Sequence, residues 1–398
     1  MRPRLSVLSL GLLVWGCVGE RGAPAGQVVR DSAGITIVTN EAPLWGPGES
    51  WRLSDEPLVR IGAVEGDLEY LLLGARSALR LADGTIVISN SGTEEIRFFD
   101  AQGRYLRAAG GRGGGPGEFS NLIWIYPLGD DSIVAWDDSP PEIVFFDREG
   151  RFGHSARPEP PGILSGVFAD GSLLLAEHVL WSGPREGRQR PPARAYRLDR
   201  DGAVIDSLPV FPGREFHFEV RGREGYGSVS LSPPPFGRFT AFAVADHGVY
   251  AGSQDEFELC YYDLHGRLKA LVRWPTRERQ VTPGLIERYV RYQLDELSNQ
   301  SNRSQVERSL SERTYPELLP AYGAITVDGE GNLWVEEYHL DWEDTRSWLV
   351  FDTERRLLGT VAMPGDFIVH QIGRDFVLGW TWDDLDVEYI ELYELLKP

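Results

Sequence analysis

The chain has 398 residues, of which 42% are hydrophobic and 11% aromatic, so it can bury a large core and is not a disordered protein. Its formal net charge is −20, with 60 acidic residues against 40 lysines and arginines. This balance argues against nucleic acid as a partner, because phosphate binding depends on basic side chains. The 45 glycines and 26 prolines favour many turns.

The first seventeen residues have the pattern of a bacterial export signal. Arg2 and Arg4 precede an apolar run from Leu5 to Val14, which is too short to span a bilayer as a helix. The run ends in Val14-Trp15-Gly16-Cys17, which resembles the lipobox of bacterial lipoproteins except for the bulky Trp15. We therefore predict a signal peptide over residues 1–16, followed by a lipidated Cys17 and a flexible tether over residues 17–33. An ordinary signal peptide is the alternative.

A glycine-rich stretch, residues 108–119 (AAGGRGGGPGEF), raises the question of a phosphate-binding loop. The spacing does not match Gly-x-Gly-x-x-Gly, and no Gly-Lys-Ser/Thr follows. The same pattern, Gly-x3-Gly-x2-Glu-aromatic, also occurs over residues 62–70. The sequence therefore predicts a structural connector that is used twice.

A repeat of four strands begins near residue 77. The first strand of a unit is followed by an Asp/Gly turn. The third strand is usually followed by an aromatic-Asp-x-x-Gly-Arg turn, as in Phe99–Arg104, Phe146–Arg151 and Tyr262–Arg267. Asp hydrogen-bonds the backbone of such turns and Gly provides the positive φ. Units of 40–50 residues with four strands are typical of β-propeller blades.

The last unit, residues 366–394, has three strands and needs a fourth from elsewhere. We predict that Leu58–Gly62 supplies this outer strand and closes the ring, and that Gly34–Thr39 adds a further outer strand. The predicted fold is all-β, a six-bladed β-propeller over residues 34–398.

A helical insertion interrupts the repeat. Thr282-Pro283 is a good N-cap and first-turn pair, and apolar residues then recur at helical spacing up to Leu297. Gln305–Arg313 has the pattern of a second short helix. We predict a helical hairpin over about residues 282–313, which serves either as a cover for apolar loops or as a lid or partner-docking element.

These marks give the chain a resemblance to bacterial six-bladed β-propeller lipoproteins, relatives of the NHL-repeat and TolB-type propellers. They are the GPGEF connector, the aromatic-Asp-x-x-Gly-Arg turns, and Leu319–Tyr322 leading into Ile325–Trp334. The resemblance implies the fold and an envelope location, but it does not imply a particular activity. Relatives in the wider group include lyases and lactonases with metal-lined channels.

Function is expected on one face of the propeller. The Asp-Gly hairpins after the first and third strands share a face, which we call the regular face. The long loops after second strands and the connectors between blades share the opposite, irregular face, where variable loops on a rigid scaffold favour binding. The loops concerned are Glu177–Ala193, Phe211–Arg238, Thr276–Ala321, Glu336–Ser347 and Trp382–Asp386.

Aromatic and acidic side chains alternate in these loops, a pattern that can bind sugars, cationic groups or peptides. An acidic protein also places carboxylates in loops without any function. The candidate ligand-binding residues are Trp181, Glu336, Tyr338, His339, Trp342, Trp382, Asp383 and Asp384.

The sequence contains few motifs that indicate a cofactor site or a catalytic site. We predict no cofactor; Asp383, Asp384, Asp386 and Glu388 offer the oxygens that Ca²⁺ prefers, but without EF-hand spacing. The seven histidines form no His-x-His or His-Glu-x-x-His pair, and no Gly-x-Ser-x-Gly is present, so no catalytic residue is assigned.

The leading hypothesis is an exported, membrane-anchored lipoprotein, located in the outer membrane or facing the periplasm, with a monomeric body. It acts as a binding or scaffolding module for an envelope protein, peptide or glycan. The alternatives are a hydrolase or lyase with a metal or carboxylate/His site at the central channel, and a purely structural envelope component.

Overall fold

The computed structural model describes residues 26–129, 132–177, 187–223, 226–297 and 303–398. The N-terminal strands are β1 (Gln27–Ser32), β2 (Ile35–Asn40), β3 (Arg52–Leu53) and β4 (Val59–Ile61), and a short 3-10 helix follows at Leu68–Tyr70. Blade 1 comprises β5 (Ala75–Arg80), β6 (Ile86–Asn90), β7 (Glu95–Phe99) and β8 (Tyr105–Gly110).

Blades 2 and 3 follow in the same meander. Blade 2 comprises β9 (Leu122–Leu128), β10 (Ser132–Asp138), β11 (Pro141–Asp147) and β12 (Phe152–Ala156). The next strands are β13 (Ile163–Val167), β14 (Leu173–Ala176), β15 (Gly187–Gln189), β16 (Pro192–Ala193), β17 (Ala195–Leu198), β18 (Val204–Ser207), β19 (Phe211–Pro212), β20 (Phe216–Arg223) and β21 (Tyr226–Ser232). Blade 3 consists of β13, β14, β17 and β18, while β15 pairs with β20 and β21, and β16 with β19.

The remaining elements form blades 4 to 6 and the insertion. Blade 4 has β22 (Ala241–Ala245), β23 (Gly248–Gly252), β24 (Glu258–Asp263) and β25 (Leu268–Arg273); the helices are α1 (Pro283–Asp295) and α2 (Arg303–Ser311). Blade 5 has β26 (Ile325–Val327), β27 (Leu333–Glu336), β28 (Thr345–Phe351) and β29 (Leu357–Pro364). Blade 6 has β30 (Ile368–Ile372), β31 (Phe376–Trp382) and β32 (Glu388–Leu396), which pairs with β3 and β4.

The blades form a closed ring. The first strand of each blade contacts the first strand of the next, and β30 contacts β5. Closure takes place through β4, which pairs antiparallel with β32 in the register Ile61↔Ile390, as the sequence predicts. A hydrophobic cluster fills each of the six interfaces between neighbouring blades. The protein therefore has the predicted six-bladed propeller fold.

The aromatic-Asp turns explain why the repeat is regular. Asp100 Oδ1 accepts hydrogen bonds from the backbone N–H groups of Gln102 and Arg104, both at 2.9 Å, and Gly103 has φ 78°. The backbone hydrogen bond from Arg104 is the main reason that the pKa of Asp100 is lowered. Asp147, Asp263 and Asp352 accept equivalent backbone bonds in their own turns. The side chains of these turns thus serve the fold.

The N-terminal segment differs from the prediction of a tether up to residue 33. Gln27–Ser32 forms β1, which pairs with β2 through a two-residue turn where Ala33 and Gly34 both have positive φ. Strand β2 runs parallel to β25, so the hairpin extends the outer edge of blade 4 and not that of blade 6. The chain then crosses blade 5 at Trp45 before it reaches β32.

Candidate functional site

The helical insertion lies over the irregular face between blades 4 and 5. Thr282 caps α1, because its side chain accepts a hydrogen bond from the Leu285 N–H at 3.2 Å. Tyr289 of α1 packs edge-on against Phe236 in the loop before blade 4, with ring centroids 5.1 Å apart. One turn later, Tyr292 packs against Trp342 of blade 5 at 5.7 Å. These aromatic contacts fix the helix as a wall on that face.

A cleft of about 570 Å³ opens beside this wall. Its floor contains the buried rings of Phe257, Trp274 and Tyr322 at the interface of blades 4 and 5. Charged and aromatic side chains from three segments form its sides. The segments are the connector after β25, helix α1, and the loop between β27 and β28, contributing Arg277, Glu278, Arg279, Arg288, Glu337, Tyr338, His339, Trp342, Glu343 and Asp344.

Three arginines give the cleft its polar character. The Arg288 guanidinium lies over the Trp342 ring, 5.1 Å from its centroid. The guanidinium of Arg279 lies 5.0 Å from the Phe257 ring centroid and donates a hydrogen bond to the Leu319 carbonyl at 3.0 Å. Arginine over an aromatic face keeps its in-plane N–H donors free for a ligand. The cleft can therefore bind an acceptor group next to an aromatic surface.

The third arginine is paired with an acid. Arg277 Nη2 lies 2.7 Å from Glu337 Oε1. Burial raises the pKa of Glu337, and the charge of Arg277 opposes that shift. Burial also raises the pKa of the neighbouring Tyr338 above its ordinary value. The Glu337 carboxylate is thus partly buried in the cleft, with Arg277 as its ion-pair partner.

The loop between β27 and β28 holds itself in shape. The Leu340 N–H donates to Glu343 Oε2 at 2.9 Å, and His339 Nε2 lies 2.9 Å from the Glu343 carbonyl oxygen. Since that carbonyl can only accept, Nε2 carries a proton and donates it to the carbonyl. This hydrogen bond to the loop's own backbone therefore positions the ring in the cleft wall.

Of the predicted ligand-binding residues, Tyr338, His339 and Trp342 line the cleft together. Glu336 does not line it: Oε1 is 2.6 Å from Arg346 Nη1, and Oε2 accepts from the Ala324 N–H at 3.0 Å. That carboxylate joins β28 to the start of blade 5 and positions the loop that follows. Trp181 and Cys17 lie outside the described residues.

Trp382, Asp383 and Asp384 belong to another loop of the same face, in blade 6. Trp382 packs against Trp380 with ring centroids 4.8 Å apart. Asp383 accepts hydrogen bonds from the Leu385 and Val387 N–H groups and from the Tyr389 hydroxyl, at 2.9, 3.0 and 3.0 Å. Its oxygens therefore serve the turn. No cluster of three or more potential metal ligands occurs among the described residues.

Sequence reasoning missed the arginines of the cleft and Trp274. Arg277 and Arg279 follow strand β25 in alternation, and Arg288 lies one helical turn before Tyr292. The alternation of charge after a strand, and the Arg-x3-Tyr spacing on the helix, were the local signals available. Neither signal reveals that the two segments meet over Trp342.

The central channel forms a second cavity, of about 1040 Å³, which reaches the regular face. The first strands of all six blades line it, and His370 is the histidine in its wall among the described residues. Burial lowers the pKa of His370 to about 4, so the ring is neutral near pH 7. Asp328 lies at the regular-face mouth, but its oxygens bond the Asn332 N–H and the Trp334 indole N–H, both at 2.9 Å. The carboxylate of Asp328 therefore serves its own turn.

No described helix has the length and apolar character that a membrane crossing requires. Trp45 and Trp51 lie next to each other at the propeller's outer edge, with ring centroids 5.1 Å apart. Of the two described α-helices, α1 contributes a side chain to the cleft and α2 does not.

Comparisons with known proteins address the fold. A family model described as a 6-bladed β-propeller, DUF5128, matches residues 69–154. No curated protein matches the sequence. A putative exported protein from Bacteroides fragilis NCTC 9343 is 14% identical with a TM-score of 0.52, over 91% of this chain and 100% of that one. A DUF4221 family member from Bacteroides vulgatus ATCC 8482 is 12% identical with a TM-score of 0.53, over 88% and 99%.

At such low identity these likenesses show the fold alone. The family match covers blade 1 and most of blade 2, including the glycine-rich connector between them. The chain has the fold of a six-bladed β-propeller and is similar to bacterial propeller proteins.

Proposed function

We propose that the protein is an exported, envelope-anchored β-propeller that binds a ligand in the cleft of its irregular face. The cleft itself carries the proposal: a concavity of about 570 Å³ in which aromatic rings and unpaired guanidinium donors converge. Its volume falls within the range of about 300–1,000 Å³ common for ligand sites. The rigid blades below and the helix beside it keep the site preformed.

The ligand is expected to combine a planar or apolar surface with an acceptor group. Trp342 offers the ring face, and the donors of Arg288 and Arg279 lie next to aromatic rings. A short peptide or a glycan carrying a carboxylate has this combination. Both belong to the envelope partners that the sequence predicts.

The position of the N-terminus supports an anchor on the same side. Strand β2 is parallel to β25, which runs toward the irregular face, so β1 starts at that face with Gln27. Residues 18–26 then separate the predicted lipid on Cys17 from the body, and nine extended residues span roughly 30 Å. This length would keep the cleft close to the membrane surface.

The experiment is a binding screen on the purified full chain with defined oligosaccharides and short acidic peptides, by thermal shift and then calorimetry. We expect Trp342→Ala and Arg288→Ala each to weaken a hit about tenfold, as for the loss of a ring face or a charged donor. Trp124→Ala, which removes a half-exposed ring from the central channel, and Arg374→Ala on the regular face are matched controls. Binding lost in Trp124→Ala but kept in Trp342→Ala, or no hit at all, would refute the cleft as the site.

A further inference from the structure

Exposed apolar side chains gather elsewhere on the irregular face, where blades 6 and 1 meet. They lie in the connector after β4 and in the turn between β31 and β32. Their exposed fractions are 74% for Leu68, 72% for Leu385, 65% for Leu73, 59% for Val64 and 38% for Trp382. Large apolar side chains are scattered singly on most surfaces, whereas a group of them marks an interaction site.

The two segments are neighbours. Both ends of the connector touch the start of β32: the Ala75 N–H donates to Glu388 Oε2 at 2.7 Å, and Gly62 lies too close to the Glu388 backbone for a side chain to fit. The register of β4 on β32 holds them together. We call residues 62–75 together with 382–388 the blade 6/1 patch.

The patch is held rigidly, with its leucines outward. The buried Arg97 donates from Nη1 to the carbonyls of Leu68, Glu69 and Leu71 at 3.1, 3.0 and 2.9 Å. A buried guanidinium that donates to three backbone carbonyls fixes the connector's path. A surface that is already ordered loses little conformational entropy when a partner binds.

The turn of blade 6 is fixed in a comparable way. Asp383 binds two backbone N–H groups of the turn, and Asp386 adopts a left-handed backbone with φ 59°. This conformation places Leu385 at the tip of the turn, with little of its surface covered. The exposed leucine is therefore a stable feature of the fold.

The negative charge of the blade 6/1 patch indicates which kind of partner can bind there. Residues 62–75 contain Glu65, Asp67 and Glu69, residues 382–388 contain four more carboxylates, and neither segment contains a lysine or arginine. The nearby Arg60 is taken up by Glu391 at 3.4 Å and by the Tyr389 ring. An apolar centre inside an acidic rim repels anionic lipid and a second copy of the same patch, and attracts a basic rim.

We propose that the blade 6/1 patch is a docking surface for a partner protein segment that presents apolar side chains among lysines or arginines. This surface is separate from the cleft between blades 4 and 5. The partner's apolar side chains cover Leu68, Leu73 and Leu385, and its cations face the acidic rim.

The test uses the full chain and two fluorescein-labelled amphipathic peptides, one of leucine and lysine and one of leucine and glutamate, in an anisotropy titration. We expect the lysine peptide to bind, and Leu68→Ser/Leu385→Ser to weaken it about 30-fold, since two leucines would lose their burial. Leu58→Ser is the matched control, because Leu58 is 60% exposed and precedes β4 at the regular-face end of that strand.

The charge component has its own variant, Glu65→Gln/Asp67→Asn/Asp384→Asn. It should weaken the lysine peptide severalfold and flatten the dependence of binding on salt. The glutamate peptide should bind at least tenfold more weakly to the unmodified chain.

Other occupants give opposite results. The proposal is overturned if the lysine peptide does not bind, if the double serine variant binds it as well as the original chain, or if Leu58→Ser weakens it equally. It is also overturned if phosphatidylglycerol vesicles, or self-association in sedimentation velocity, show the dependence on Leu68 and Leu385 that the peptide lacks.

Discussion

Closure of the ring by the N-terminal strand can be tested through Ile61, the last residue of β4. Its side chain is fully buried between blades 6 and 1, in one cluster with Ile86, Ile390 and Leu392. Ile61→Ala removes three carbon atoms, which corresponds to about 2.4 kcal/mol of transfer free energy at 0.8 kcal/mol per methylene. A partly relaxed cavity adds to this cost, so we expect a loss of about 3–4 kcal/mol in the free energy of unfolding.

Leu58→Ala provides the matched control, because the residue lies three positions earlier, largely exposed at the regular-face end of the strand. We expect that variant to change the free energy of unfolding by less than about 0.5 kcal/mol. Urea titrations followed by tryptophan fluorescence and by circular dichroism measure both variants and test whether unfolding is cooperative. Equal and small effects of the two substitutions would mean that β4 does not close the ring in solution.

Three other substitutions test the remaining steps. Cys17→Ser should leave an unprocessed, lipid-free precursor in the native host, visible as a larger species on gels, and normal maturation would contradict the lipobox. Arg97→Met removes the donor from three carbonyls beneath the blade 6/1 patch and should lower the free energy of unfolding by about 3 kcal/mol. The control Arg104→Met, at an exposed position, should lower it by less than about 0.5 kcal/mol. A loss as small as that of the control would show that the connector keeps its path without Arg97. Burial lowers the pKa of His370 to about 4, so this side chain takes up a proton near pH 6.5 in the unfolded protein but not in the folded protein. The free energy of unfolding should therefore fall as the pH drops from 6.5 to 4. His370→Asn should flatten that slope in urea titrations, whereas an unchanged slope would assign it to other groups.

Local chemistry explains why the fold could be predicted. The aromatic-Asp turns fold within six residues, with Asp263 bonding the backbone of Arg267 and Gly266 providing the positive φ, so each copy leaves its own signature. The helix start at Thr282 is equally local. The closing strand followed from counting, since a blade with three strands needs a fourth.

Contacts between distant segments explain what the sequence did not reveal. The Asn40 side chain bonds the Arg273 carbonyl across 233 positions, and the parallel pairing of β2 with β25 leaves no periodic trace. The hairpin itself had a local signal in Ala33-Gly34, but the prediction of a tether passed over it. Likewise, the cleft needs Arg288 from the insertion to meet Trp342 from blade 5, and no spacing within either segment encodes that meeting.

The two faces of the propeller differ in how much of their polar chemistry remains available. On the regular face, the turns themselves occupy the hydrogen-bond acceptors of their aspartates. Asp100 and Asp352 each accept from backbone N–H groups and from the arginine that ends the turn. On the irregular face, Asp383 and Arg97 also bond backbone groups, but these bonds hold leucines outward. Arg288 lies over an aromatic ring and not against a carboxylate. Binding needs groups that folding has not already satisfied, and such groups are found where loops are longest. The cleft and the patch are separate consequences of that one difference, because blades 4 and 5 received a helical wall while blades 6 and 1 received the junction where the ring is closed.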